Sequence, residues 1–138
     1  RAASAEGAAP AVTAGVFDGH TGSRVAEELR DGSFCPELER SVLSALASSR
    51  SRAQVQSSVT TALSRAFMDE DRRLVGLANE RGWDDGSTAV TVTLAPHGST
   101  LLACTGNLGD AQAFLLAGGA RGDSGAGEGK EEAKGGEG

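Results

Sequence analysis

The chain has 138 residues, 38% of them hydrophobic and 23% charged, which suits one domain or part of one. Its formal net charge of −6 disfavours a nucleic-acid partner and an anionic membrane surface. No apolar run approaches the roughly 18 residues of a membrane-spanning helix, and no basic start followed by an apolar stretch marks a signal peptide. We expect an intracellular protein, in the cytoplasm or nucleus, that is a monomer.

The two ends of the chain differ in composition from its middle. Residues 1–11 are an Ala-rich lead-in, and residues 12–116 carry the patterned segments. Residues 117–138 hold no apolar side chain larger than Ala, so they cannot bury enough surface to offset their ordering entropy. We expect them to form a disordered tail or an inserted loop. Because Arg1 is not an initiator and Met68 is the only Met, we expect a fragment of a longer product.

The N-terminal half of the patterned region predicts a strand and three helices. Residues 12–18 mix small and β-branched side chains, which favours a strand buried on both faces. Residues 21–29 carry a short apolar stripe at helical spacing, and Pro36 opens a second helix. The longest helix is predicted over residues 52–80, with Phe67 in its core-facing stripe.

The C-terminal half predicts strands joined by turns. Residues 87–95 are predicted as a strand, because within them Val90, Val92 and Leu94 alternate with Thr91 and Thr93, which gives one apolar face and one hydroxyl-bearing face. A hairpin connection at residues 96–98 leads to a partner strand over residues 101–105. A turn over residues 106–110 then precedes a third strand over residues 111–116.

The end of the first predicted strand carries residues that suit metal binding and proton transfer. Asp18 offers hard oxygen ligands for Mg²⁺ or Mn²⁺, and Gly19 lacks a Cβ, so that its carbonyl can approach an ion closely. His20 has the side chain best suited to exchange protons near neutral pH. The alternative is a plain turn with a solvated His, because Asp-Gly is a common turn dipeptide.

Two further turns place Gly beside a carboxylate at a strand end, and together the three turns carry a family resemblance. The chain resembles the metal-dependent serine/threonine phosphatases of the protein phosphatase 2C type. Residues 15–22 look like that family's hallmark, which usually reads Val-Phe-Asp-Gly-His-Gly-Gly. Residues 86–90 match its Gly-Ser/Thr-Thr-Ala strand start, and residues 109–113 resemble its Gly-Asp-Ser-Arg-Ala turn. The resemblance covers roughly residues 12–116.

The resemblance implies an α+β fold, in which an antiparallel β-sandwich is flanked by helices in a four-layer αββα arrangement. Asp18 would bridge two Mg²⁺ or Mn²⁺ ions, Gly19 would give one ion its backbone carbonyl, and Asp110 would bind a third, weaker ion. His20 would be the general acid toward the leaving alkoxide. The substrates would be proteins phosphorylated on Ser or Thr, which a metal-activated water hydrolyses without a covalent intermediate.

Departures from the family pattern indicate that only the N-terminal half of the domain is present. Thr21 stands where the family usually has Gly, a change that we expect the start of a helix to tolerate. Ala111 and Gln112 stand where Ser and Arg are usual. The family also has a strand before the position of residue 12 that carries a phosphate-binding Arg and an acidic pair, and the Ala-rich residues 1–11, with Glu6 as their one carboxylate, do not match it. Two later Asp-bearing motifs of the family are lacking as well.

An incomplete domain should leave sheet edges and apolar faces unpaired, so we expect instability or aggregation. Because ligands of the metal site are missing, we also expect this chain alone to be inactive. The main alternative to an enzyme is a catalytically inactive phosphatase-like module that binds or regulates a partner. A further alternative is a truncated gene product that never folds alone.

Overall fold

The computed structural model describes residues 10–116, and the predictions for residues 1–9 and 117–138 lie outside this part. The helices of the described part are α1 (Arg24–Asp31), α2 (Phe34–Ser48) and α3 (Arg52–Arg81). Its strands are β1 (Val12–Val16), β2 (Gly19–His20), β3 (Gly86–Ser87), β4 (Ala89–His97) and β5 (Thr100–Leu108).

The three longer strands form an antiparallel sheet in the order β1-β4-β5, and β2 pairs with β3 in a separate two-stranded ribbon. Helix α2 packs against α3 and against β1 and β4, and α3 also contacts β5. The helices therefore cover one face of the larger sheet. This arrangement confirms the α+β class, whereas the four-layer sandwich stays a prediction.

The two faces of β4 differ in burial, and the face that carries the Thr side chains lies inside. Thr91 and Thr93 lie beneath the helices and are 1% and 0% exposed. Leu94 points to the other face and is 40% exposed, beside Val12 of β1, which is 58% exposed. The predicted alternation is confirmed, but the hydroxyl-bearing face is the buried one. The outer face leaves large apolar side chains exposed, among them Val12, Val16, Leu94 and Leu101.

Strand β1 is not buried on both faces, so that prediction is wrong. It lies at the edge of the sheet and pairs with β4. Val16 is 63% exposed, and Thr13 reaches the helices through its N–H, which donates to Glu39 Oε1 at 2.7 Å. Small uncharged side chains without a clear period are compatible with an edge strand as well as with a central one, so the sequence did not distinguish the two.

The three predicted helices are confirmed, although α1 lies two to three residues later than predicted and α2 starts two residues earlier. Helix α3 matches its prediction to within one residue and ends at Gly82, whose φ of 65° is the left-handed conformation that terminates helices. Helix α2 begins two residues before Pro36, because a helix's first turn does not need the N–H that Pro lacks. Among residues 10–116, no helix is long and apolar enough to cross a membrane.

The region after β4 differs most from prediction. Strand β5 extends through Leu108, so residues 106–108 are strand and not turn, because they pair with the start of β4. Residues 111–116 do not form the predicted third strand, and Phe114 is 81% exposed. A strand needs a neighbour to pair with, and within the described part β5 has none on its outer edge.

The core lies between the sheet and the helices and is centred on Phe34. Phe34 is 1% exposed, and its ring centroid lies 5.0 Å from that of Phe67 and 6.2 Å from that of Phe17. Phe67 therefore belongs to the core, as its helical stripe predicted. Because Phe17 directly precedes Asp18, this cluster anchors the chain just before the candidate site.

Candidate functional site

Asp18 lies just beyond β1, where its backbone is held by Thr88 at the start of β4. The Thr88 N–H donates to the Asp18 carbonyl at 2.9 Å, and the Asp18 N–H donates to the Thr88 hydroxyl at 3.3 Å. Asp18 itself is exposed. Within residues 10–116 no hydrogen bond or ion pair engages its carboxylate, so both oxygens are accessible to a ligand.

Gly19 and His20 form β2 and pair with Ser87 and Gly86 of β3. The imidazole of His20 lies against Gly86, since a Cβ built on Gly86 would meet His20 Nε2 at 2.5 Å. The ring stands at the rim of a cavity of about 220 Å³ between α1, α3 and β3. The absence of a Cβ at Gly86 therefore leaves room for the imidazole in this position.

Gly86→Ala should displace the His20 ring while leaving the fold intact, because an exposed imidazole can change rotamer to avoid the added methyl group. The chain has two histidines, so His97 at the end of β4 serves as an internal reference in a proton NMR spectrum. We expect the His20 ring signals to shift and those of His97 to stay. Gly76→Ala is the control, since a Cβ there meets nothing within 4 Å. Unchanged His20 signals would contradict the packing described.

Asp110 lies at the same end of the sheet as Asp18, but the two do not form a complete metal site. Gly109, with a φ of 94°, turns the chain after β5, and a Cβ there would meet Thr88 Cγ2 at 2.9 Å. Thr88 thus contacts the segments that carry both carboxylates. Within the described part, however, no three His, Cys, Asp or Glu side chains are grouped to hold a metal ion. Carboxylate and carbonyl oxygens are the type of ligand that Mg²⁺ and Mn²⁺ prefer, but the described residues supply too few of them to complete a site.

Thr21 adopts a strained backbone conformation directly after His20. Its φ of 64° makes it the one non-glycine residue with positive φ in residues 10–116. Helix α1 begins three residues later, so the expectation that a helix start would tolerate Thr here is wrong. A β-branched side chain in the left-handed region costs about 1–2 kcal/mol, which explains why Gly suits this position.

Thr21→Gly should therefore stabilise the chain. We expect the free energy of unfolding to rise by about 0.5–1 kcal/mol, because relief of the strain exceeds the added entropy of Gly in the unfolded chain. Urea denaturation measures the change. Ser23→Gly, in the same loop but with a φ of −115°, should destabilise instead. Equal effects of the two substitutions would show that Thr21 is not strained.

Asp85 is a buried residue of the site, which the sequence placed in an acidic turn at a strand end but to which it gave no role. Its side chain is 0% exposed, and its Oδ1 lies 2.8 Å from Arg24 Nη2. Burial alone would raise the pKa of the Asp85 carboxyl, but hydrogen bonds from its own backbone and from Arg24 outweigh burial and lower the pKa below its ordinary value. The available signal was the pair of acids, Asp84 and Asp85, directly before Gly86.

Comparison with known proteins identifies the family. No curated protein and no solved structure matches the chain. A family model described as "Protein phosphatase 2C" matches residues 2–124, a span that includes Asp18, Gly86 and Asp110 with the turns that carry them. Because the match extends over most of the sequence, the chain belongs to the protein phosphatase 2C family.

Proposed function

We propose that this chain carries the first part of the active site of a metal-dependent serine/threonine protein phosphatase. The observation that supports this proposal is the exposed, uncommitted carboxylate of Asp18 beside His20, on a segment that β3 and Thr88 hold in place. Family membership supports phosphomonoester hydrolysis as the reaction class. We further propose phosphoproteins as substrates, a monomeric state and no nucleic-acid or membrane partner.

Each site residue has a role that its chemistry suits. In the proposal, Asp18 holds Mg²⁺ or Mn²⁺ through its carboxylate and Gly19 through its carbonyl, and Asp110 contributes to a weaker third site. Bound ions of this kind supply a water nucleophile at neutral pH and screen the phosphoryl oxygens. His20 holds a proton on its imidazole and delivers it to the leaving oxygen of Ser or Thr, a contribution of roughly 10²–10⁴-fold.

The donor set within the described residues is incomplete, so the proposal assigns full activity to the natural polypeptide that contains this sequence. An ion bound only by Asp18 and Gly19 would keep most of its water shell, which gives weak binding. We expect the 138-residue chain alone to bind Mn²⁺ weakly and to turn over little or no substrate.

Hydrolysis of a phosphothreonine peptide tests the proposal. The natural polypeptide is assayed with Mn²⁺ and, in parallel, with a chelator, after a cooperative thermal melt has shown that it is folded. Activity that requires Mn²⁺ is the expected result. Absence of activity in a folded protein would overturn the proposal.

A second candidate function is that of an inactive phosphatase-like module that binds or regulates a partner. It is favoured by the lack of any metal-binding group of three side chains within residues 10–116 and by Ala111 and Gln112 at positions where the family usually has Ser and Arg. Calorimetric titration with Mn²⁺ distinguishes the two functions. Binding that Asp18→Ala abolishes favours the phosphatase, and no binding by the natural polypeptide favours the module.

A further inference from the structure

The carboxylate of Asp85 binds the start of helix α1 although 61 residues separate Asp85 from Arg24. Its Oδ2 accepts hydrogen bonds from the Arg24 backbone N–H at 2.8 Å and from Arg24 Nε at 3.2 Å. The first N–H groups of a helix have no partner within the helix, and an anion placed there is stabilised by the helix dipole. Ser23, at the N-cap position, makes no capping bond with its side chain, so Asp85 caps α1 in its place.

The loop that joins His20 to α1 packs directly on this carboxylate. A Cβ built on Gly22 would meet Asp85 Oδ2 at 2.8 Å and Cγ at 2.9 Å, so the loop backbone touches the buried acid. The same loop contains Thr21 in its strained conformation. A strained residue persists only where its surroundings hold it in that conformation. The hydrogen bonds between Arg24 and Asp85 hold the chain on the C-terminal side of Thr21.

The residues that follow Asp85 hold the other end of the same loop. Gly86 and Ser87 pair with the β2 residues, and Thr88 is hydrogen-bonded to the backbone of Asp18 in both directions. One four-residue segment, residues 85–88, therefore contacts segment 18–24 at both of its ends and at Gly22 between them. Arg24 is further fixed by the Trp83 ring, whose centroid lies 5.4 Å from its guanidinium carbon.

We infer that Asp85 is a positioning residue for the candidate site: through its bonds to Arg24 it fixes the backbone that presents Asp18, Gly19 and His20. That Asp85 positions a catalytic site rests on the proposed function. That Asp85 fixes the conformation of the loop does not depend on the proposed function. Asp85 touches neither substrate nor metal in this account. Its carboxylate acts by excluding the alternative loop conformations that Thr21 would otherwise favour.

The test compares Asp85 with a second buried carboxylate, Glu70 of α3. Glu70 is 6% exposed and is bound by Arg73 at 2.8 and 2.9 Å, but it makes no hydrogen bond to the loop. Asp85→Asn and Glu70→Gln each remove the charge of a buried carboxylate that pairs with a half-exposed Arg. Arg24→Lys is a second test variant that leaves the buried carboxylate in place. Because the Arg24 side chain is 45% exposed, we expect this variant to fold.

Hydrogen exchange at the Thr88 amide, which donates to Asp18, is the readout that needs no metal. We expect Asp85→Asn to speed this exchange about tenfold and Arg24→Lys to speed it less, with the His20 ring signals shifted and those of His97 unchanged. Glu70→Gln should leave the Thr88 amide unchanged; its His20 signals are not used in the comparison, because Glu70 lines the cavity that His20 also lines. An unchanged Thr88 amide in Asp85→Asn, or equal acceleration in Glu70→Gln, would overturn the inference.

Mn²⁺ affinity is the second readout, because a merely structural role would not alter it selectively. We expect Asp85→Asn to weaken binding by about tenfold, the lower end of what loss of a supporting group costs a metal site, and Glu70→Gln to leave it unchanged. Equal affinity in Asp85→Asn and the unsubstituted protein would overturn the positioning role. The titrations use the natural polypeptide; if it binds no Mn²⁺ without substitution while the Thr88 amide still responds to Asp85→Asn, the proposed function fails and the loop inference stands.

Discussion

Asp18→Asn is expected to lower Mn²⁺-dependent hydrolysis of a phosphothreonine peptide by the natural polypeptide by at least about 100-fold. The substitution keeps the shape of the side chain and removes the charge that holds a divalent cation. Because the bonds that fix Asp18 run through its backbone to Thr88, the fold should be preserved. Rates are measured at saturating Mn²⁺ alongside a thermal melt, so that loss of chemistry is separated from loss of structure.

Asp84→Asn is the matched control for this experiment. Asp84 is 89% exposed on the neighbouring turn, and its nearest contact with Arg24 is an ion pair of 3.9 Å. An exposed pair of this kind contributes little, so activity and stability should both stay close to those of the unsubstituted protein. Activity retained in Asp18→Asn would show that Asp18 is not a residue of the active site. Equal losses of activity in Asp18→Asn and Asp84→Asn would show that the loss comes from the change in net charge and not from a specific role of Asp18.

Phe34→Ala is expected to lower the free energy of unfolding by about 3–5 kcal/mol, the range for deleting a buried aromatic side chain. Phe34 is 1% exposed and joins Phe17, beside the site, to Phe67 of α3. Its removal leaves a cavity that the rings on either side cannot fill without moving. A loss of this size should lower Tm by more than about 10 °C or abolish the cooperative transition in circular dichroism.

Phe114→Ala makes the same chemical change on the surface. Phe114 is 81% exposed, so its loss should alter stability by no more than about 0.5 kcal/mol. A Phe34→Ala variant as stable as Phe114→Ala would contradict the placement of Phe34 at the centre of the core.

The fold was predictable where local sequence repeats a pattern many times. Helix α3 shows its period over thirty residues, and its predicted bounds hold to within one residue. In β4 the alternation predicted the strand but not which face lies inside, because period two is the same in both orientations. The helices decide the orientation, and they cover Thr91 and Thr93. Residues 111–116 look like a strand for the same local reasons and lack a paired neighbour in the described part.

The part of the candidate site that could be predicted consists of residues that lie together in a single turn of the sequence. Asp18 and His20 follow β1 as expected. The turns that contain Gly86 and Gly109 lie beside them, Gly86 against His20 and Gly109 against Thr88. The sequence could not predict the bond between Asp85 and Arg24, because no local period links residues so far apart. Nor could it predict the strain at Thr21, which depends on where α1 begins.

Trp83 is a fluorescent reporter for the region where the start of α1 meets the turn that carries Asp85. It is the chain's one tryptophan, the sequence has no tyrosine, and its ring lies 5.4 Å from the guanidinium carbon of Arg24 and 5.0 Å from that of Arg81. Indole emission depends on nearby charge and on contact with water, and both change if either guanidinium leaves the ring. Intrinsic fluorescence of the unlabelled protein therefore reports whether the start of α1 is docked beside Asp85.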